Sequence, residues 1–212
     1  MKTFRLFFEQ NSGPRTIAVY AGRFHPFHIG HAGVFKELSE RFGPENTYIT
    51  TGGKVEPEKK PFSFSEKVAM MQAAGIPVDH IVEEISPYNP KNLEKKLGLD
   101  KNKDFFVFGI GEKDMAEDPR FNFKPLKSGA KSYFQPYVGG DYQPLGKHGY
   151  VYPVKDIIFK IGDKKMKGAT DIRNMYKESN NNKRMGIIKT LYPNANERVL
   201  QSIKNIFDDK LK

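Results

Sequence analysis

Apolar positions along this chain fall into two alternating kinds of pattern. Thr16 to Ala21 is a short, mostly apolar run with β-branched residues, which predicts a buried strand. Asn11-Ser12-Gly13-Pro14 separates it from a leader, Met1 to Gln10, in which Phe4, Phe7 and Phe8 stand at helical spacing among charges. After a loop opening at Gly22, Val34, Phe35 and Leu38 recur at helical spacing until Gly43-Pro44 ends the pattern. The alternation then repeats. Thr47 to Thr51 predicts a strand, Ser63 to Ala74 a helix with Val68, Met70 and Met71 on its core side, and His80 to Ile85 a third strand. A charged helix around Asn92 to Leu97 precedes Phe105 to Ile110, the most strand-like run of all.

From about residue 116 to 149 the periodicity dissolves into glycine, proline, lysine and tyrosine, too long for an ordinary connection, and a lid-like insertion is expected. Strand character resumes at Tyr150 to Val154 and Ile157 to Ile161, and Gly162-Asp163 predicts a hairpin into Lys164 to Lys167. Helical patterns close the chain: Thr170 to Lys177, a stretch around Met185 to Leu191, and a last helix capped by Asn194. Val199, Leu200, Ile203, Ile206 and Phe207 form the apolar stripe of that helix. Strands alternating with helices imply an α/β fold, a Rossmann-like doubly wound parallel sheet with C-terminal helices and one long insertion. The expected organisation is a leader helix over 1–14, one domain over 15–178 and a helical extension over 179–212.

Composition narrows the chemistry. The 212 residues hold 35 Lys and Arg against 25 Asp and Glu, a formal charge of +10, so anionic partners are expected: nucleotides, phosphorylated metabolites or nucleic acid. With no cysteine there is no disulfide, thiolate catalysis or cysteine-ligated zinc, in keeping with a cytoplasmic protein. The leader's apolar run is too short for a membrane span, so no membrane partner is expected.

The stretch from Gly22 to His31, Gly-Arg-Phe-His-Pro-Phe-His-Ile-Gly-His, lies between the first strand and the first helix. In a doubly wound sheet that is where ligands bind, and a helix starting there turns free N–H groups and its positive dipole end toward them. His28 and His31 can aim ring N–H groups at one ligand, while Gly30 lets that ligand approach the backbone. No third ligand at convincing spacing accompanies the histidines, so no protein-held metal is expected.

This string resembles the signature of the histidine-x-glycine-histidine nucleotidyltransferase superfamily, which includes nicotinamide mononucleotide and pantetheine-phosphate adenylyltransferases and cytidylyltransferases. Gly22-Arg23-Phe24 ahead of Pro-Phe-His-x-Gly-His is most similar to the archaeal-type and bifunctional bacterial nicotinamide mononucleotide adenylyltransferases. A second element, Gly168-Ala169-Thr170-Asp171-Ile172-Arg173, is similar to the superfamily's Ser-Ser-Thr-x-Ile-Arg. Softer matches are Lys59-Lys60-Pro61-Phe62-Ser63, like a basic-x-Pro-Phe-Thr segment, and Phe108-Gly109-Ile110-Gly111, where a glycine loop meets the nucleoside. Two departures stand out: His25 where relatives usually have glutamine, and Gly168-Ala169 in place of two serines, which removes hydroxyl donors from the triphosphate side.

The resemblance implies transfer of AMP from ATP to a phosphorylated acceptor with release of pyrophosphate, nicotinamide mononucleotide to NAD being favoured. The implied roles place His28 and His31 on the triphosphate, Arg23 as a phosphate clamp, and Thr170 with Arg173 on the β and γ phosphates. Lys59 is implied as a phosphate ligand, with Gly22, Phe24, Gly30, Gly109 and Gly111 around the nucleotide. Mg²⁺ is expected on ATP, held mainly by phosphates and water. CTP as donor, another acceptor, or a non-catalytic protein binding nucleotides or nucleic acid are the alternatives, nucleic acid not being favoured, and a homo-oligomer is left open. The same four letters occur in class I aminoacyl-tRNA synthetases, with Lys165-Met166-Lys167 faintly like their lysine-rich motif. Nothing here resembles the tRNA-reading domains such enzymes need.

Overall fold

A computed structural model describes residues 13–155 and 157–212, so the expected leader helix lies outside the described residues. The chain runs β1 (Thr16–Ala21), α1 (Ile29–Phe42), β2 (Thr47–Thr51), α2 (Phe64–Ala73), β3 (Ile81–Glu83), α3 (Lys91–Leu97) and β4 (Phe105–Gly111). It continues through α4 (Glu112–Glu117), β5 (Phe134–Pro136), β6 (Gly149–Val154), the hairpin β7 (Lys160–Ile161) and β8 (Lys164–Lys165), then α5 (Ala169–Lys177), α6 (Asn181–Leu191) and α7 (Glu197–Lys210). Six strands form one sheet in the order β3-β2-β1-β4-β6-β5, every neighbouring pair parallel. This is the doubly wound α/β architecture expected from the alternating pattern.

β1 shows why that pattern is legible. Ala18 and Tyr20 pack into the core beneath α1, α2, α5, α6 and α7, whereas Ile17, Val19 and Ala21 pack into the opposite core with Leu93 of α3. A strand covered on both faces must be apolar throughout rather than alternating. Helix α2 is fixed at its start by a capping box: Ser63 N–H donates to Glu66 Oε2 at 2.7 Å, and Glu66 N–H donates back to Ser63 Oγ. Helices α6 and α7 place Ile187, Ile188, Leu191, Leu200, Ile203 and Phe207 in the same core as α1 and α2.

Several expected boundaries shift. The third strand ends at Glu83, because Glu84 turns inward to accept the Leu93 N–H at 2.8 Å and Ile85 is fully exposed. The last helix is capped by Asn196 rather than Asn194: Asn196 Oδ1 accepts the Val199 N–H at 3.0 Å. Ile157 and Ile158 stay outside β7 and are partly exposed, lying at the crevice beside the start of α1, where Ile157 packs against Gly33. The long insertion is not all loop, since β5 adds an edge strand beside β6.

Candidate active site

The sheet order sets the site's position. β1 and β4 are neighbours, but the chain leaves β1 toward β2 and reaches β4 from the far edge, so the order reverses between them. A crevice opens beyond the carboxyl ends of strands at such a point. Loop 22–28 enters it from β1, and Gly111 with α4 enters it from β4.

Loop 22–28 is folded around aromatic rings. Phe24 adopts the left-handed region (φ 50°), which turns its ring back beneath Gly22, and a Cβ on Gly22 would lie 2.6 Å from Phe24 Cζ. The ring cannot retreat, because it is packed edge-on against Tyr20, Phe27 and His31. The far end of α6 supports the loop from below: the buried Tyr192 hydroxyl donates to the Phe27 carbonyl at 2.6 Å.

His28 is the N-cap residue of α1 but makes no side-chain capping bond, and the helix's first turn carries no acidic residue. His28 and His31 stack, ring centres 3.7 Å apart. His28 is buried and His31 half-buried, and the buried Nδ1 of each lacks a hydrogen-bond partner, so polar atoms that should be satisfied are waiting at the end of a helix. Burial holds the His28 imidazole down to about 4 and His31 well below the usual histidine range, so both are neutral at pH 7 and each carries a single N–H. A Cβ on Gly30 would lie 3.1 Å from the His28 ring.

Two hollows meet here. One of about 820 Å³ is lined by His28, Gly30, His31 and Gly111 together with Lys165, Lys167 and Thr170. The second, about 630 Å³, adjoins it over Gly22, Phe24, Tyr88 and Arg120, and both share Arg23 and His31. The β7–β8 hairpin carries Lys165 to the site. Arg173 spans the two signature elements, donating to the His25 carbonyl at 2.5 Å and to Thr170 Oγ1 at 3.2 Å, and burial lowers its pKa. Nearby His25 stacks on Phe62, and burial with the charges of Lys67, Arg173, Lys60 and Arg23 holds it down to about 3.

Three expected site residues line neither hollow: Arg173, expected on the β and γ phosphates, is instead turned to the His25 carbonyl and Thr170 Oγ1, and Lys59 and Gly109 lie elsewhere. Lys59 is exposed in the tight turn between Glu56 and Lys60, its N–H bonded to the Glu56 carbonyl, and it lines neither hollow. Gly109 is buried under α1, where a Cβ would lie 2.4 Å from Leu38 Cδ1; its role is helix-on-sheet packing rather than nucleoside contact. One residue went unnoticed in the sequence. Lys67 of α2 is completely buried, its ammonium donating to Thr51 Oγ1 at 3.0 Å, to the Arg23 carbonyl at 3.4 Å and to the Gly52 carbonyl. The available signal was its place on the same stripe as Met70 and Met71, where a lysine has no solvent to reach.

Among the described residues no group of three or more His, Asp or Glu is placed to hold a metal ion, and no helix is long and apolar enough to cross a membrane.

Residues 19–122 match the cytidylyltransferase-like family model. A nicotinamide-nucleotide adenylyltransferase of Methanosarcina barkeri is 33% identical over 69 residues, 32% of this chain and 40% of the relative, so the chain matches well under half of that protein's length. A bifunctional NMN adenylyltransferase/ADP ribose pyrophosphatase from Francisella tularensis superposes with a TM-score of 0.54 at 18% identity, covering 93% of this chain and 52% of that one. The same Francisella protein complexed with AMP and a Mn ion gives 0.52. A Plasmodium falciparum nicotinic acid mononucleotide adenylyltransferase gives 0.50 at 16% identity, covering 93% of this chain and all of its own. At such identities these structures speak for the fold. The match over residues 19–122, which include the signature at the head of α1, makes just under half of this chain similar to the cytidylyltransferase-like family.

Proposed function

We propose that this site transfers AMP from ATP to the phosphate of a mononucleotide, nicotinamide mononucleotide before others, forming NAD and pyrophosphate. The observation that carries the reading is the meeting of two hollows at Arg23 and His31, one backed by the unpartnered histidine pair and a helix N-terminus. The acceptor fits what the relatives in Methanosarcina, Francisella and Plasmodium are named for.

The chemistry asks little of a base. An acceptor phosphate oxygen, already ionised at neutral pH, attacks the α-phosphorus in line; the bond from α-phosphorus to the bridging oxygen breaks, and pyrophosphate leaves with that electron pair. The site must therefore hold two anions together and stabilise charge on the transferring group. His28 and His31 donate one N–H each to phosphate oxygens, and Arg23, at the shared wall, clamps the acceptor phosphate against the α-phosphate. Lys165, Lys167 and Thr170 face the departing β and γ phosphates. Arg173 acts from behind, fixing Thr170 and the His25 carbonyl. Mg²⁺ bound to the triphosphate would neutralise phosphate charge: the larger hollow presents imidazoles, lysines and N–H groups, and Asp114 and Glu117, on the wall it shares with its neighbour, are the carboxylates there that such a hard cation would favour beside phosphate oxygen and water. A cysteine-free chain using ATP suits the cytoplasm.

The test is product identification. With ATP, Mg²⁺ and nicotinamide mononucleotide, mass spectrometry should show NAD; nicotinic acid mononucleotide and pantetheine phosphate are the competing acceptors, and CTP the competing donor. A cytidylylated product with CTP and none with ATP would overturn the donor assignment.

A further inference from the structure

We infer that Lys67 is a positioning residue of this site, its buried ammonium locking the loop that carries Arg23, His25 and His28 against the end of β2. The inference rests on the nucleotidyl-transfer reading for its catalytic consequence but not for its geometry. Lys67 does not touch either hollow; it acts through the backbone it holds.

A lysine with no exposed surface is expected to pair with a carboxylate, because an isolated buried charge is costly. Lys67 instead meets three neutral oxygens, the Arg23 and Gly52 carbonyls and Thr51 Oγ1. An ammonium has three N–H donors and no acceptor, so the three oxygens satisfy it fully, and only its protonated form can do so. The acceptors come from different segments: Arg23 from the loop after β1, Thr51 and Gly52 from the end of β2. The lysine is thus a three-way tie between the two loops at the crevice. Without it two carbonyls and a hydroxyl would face each other across the gap, each lacking its donor.

Burial pushes the Lys67 ammonium down and Glu83 of β3 partly offsets it, leaving Lys67 at about 8. Arg23 and His25 in the β1 loop, Lys60 beside α2 and Arg173 of α5 are the other titratable groups gathered at this end of α2, and Glu66 on the same helix is engaged by Lys210 of α7. A neutral amine has two N–H donors and a lone pair, so deprotonation removes one bond and sets the lone pair against an oxygen. The loop should loosen as pH rises through about 8, and positional errors near 1 Å in such sites cost on the order of a hundredfold in rate.

The experiment measures kcat and KM for ATP between pH 6.5 and 9.5 in wild type, Lys67→Met, Lys67→Arg and Thr51→Val. Amide hydrogen exchange of residues 22–28, corrected for intrinsic rates, is followed in the same proteins. Wild type should lose kcat above about pH 8 while KM changes less than about threefold. Lys67→Met should lower kcat at least tenfold below about pH 8, show no further alkaline fall, and deprotect 22–28. The guanidinium of Lys67→Arg does not titrate here, so the alkaline fall should vanish whatever its absolute rate. Thr51→Val, short of one acceptor, should move the fall to lower pH. A Lys67→Met protein that folds with native kcat and native protection, or a wild type with a flat alkaline profile and unchanged exchange, would overturn the inference. If wild type transfers no nucleotide, that reading fails, and exchange alone decides the role of Lys67.

Discussion

His25, His28 and His31 lie within seven residues, and burial depresses all three, to about 3, about 4 and well below the ordinary range. In an unfolded chain they would titrate near 6.5. Between about pH 4 and 6.5 the unfolded state therefore binds protons that the folded state refuses. Stability should be complete above about pH 6.5 and fall as the pH drops below it, by at most about 1.4 kcal/mol per unit for each histidine. Thermal unfolding of the ligand-free protein from pH 7.5 to 5 should show this decline, and His28→Gln should flatten it; a midpoint insensitive to pH across that range would contradict the burial described here. His28, His31 and Thr170 were legible because residue type, spacing and position before a helix coincide. Lys67 was not, because lysines on helices are usually solvated, and only the apolar stripe it shares with Met70 and Met71 betrays its burial.

At the scale of elements, β1 and β4 stood out as apolar runs and β2 as a β-branched one, because both their faces are covered. β5 did not, since Phe134–Pro136 is only three residues long, half-buried, and embedded among glycines, prolines and tyrosines. Glycine alone also misleads. Gly111 reaches the crevice, but Gly109, two residues earlier and on the same strand, is required by Leu38 instead. Gly109→Ala should consequently behave as overpacking, costing about 1–3 kcal/mol of stability, while the surviving folded enzyme keeps its KM for ATP. Lys59→Ala should leave both stability and activity close to wild type, as its turn is exposed. Denaturant unfolding alongside steady-state kinetics separates the two; a raised KM for ATP in either variant would restore that residue to the nucleotide site.

Across the whole molecule, the site exists because distant segments converge. Loop 22–28, Gly111, the β7–β8 hairpin and the start of α5 are brought together by the adjacency of β1 and β4, which sequence periodicity does not encode. The C-terminal helices belong to this convergence. Tyr192, 165 residues from Phe27, donates its buried hydroxyl to the carbonyl just before His28. Tyr192→Phe would leave that carbonyl unpaired and should cost about 1–3 kcal/mol, with a drop in kcat from a loosened histidine loop. Loss of stability with unchanged kcat would confine the helices to a packing role.

The measurement that bears most directly on the account is pyrophosphate release from ATP, with Mg²⁺ and nicotinamide mononucleotide, by wild type and by a folded His28→Ala protein. Removing one preorganised donor from a transferring phosphoryl group typically lowers the rate on the order of a hundredfold or more. Wild type should release pyrophosphate only with the acceptor present, and the variant should show at least that loss. Release that persists unchanged without the His28 imidazole would contradict the assignment of the stacked histidines as the catalytic centre.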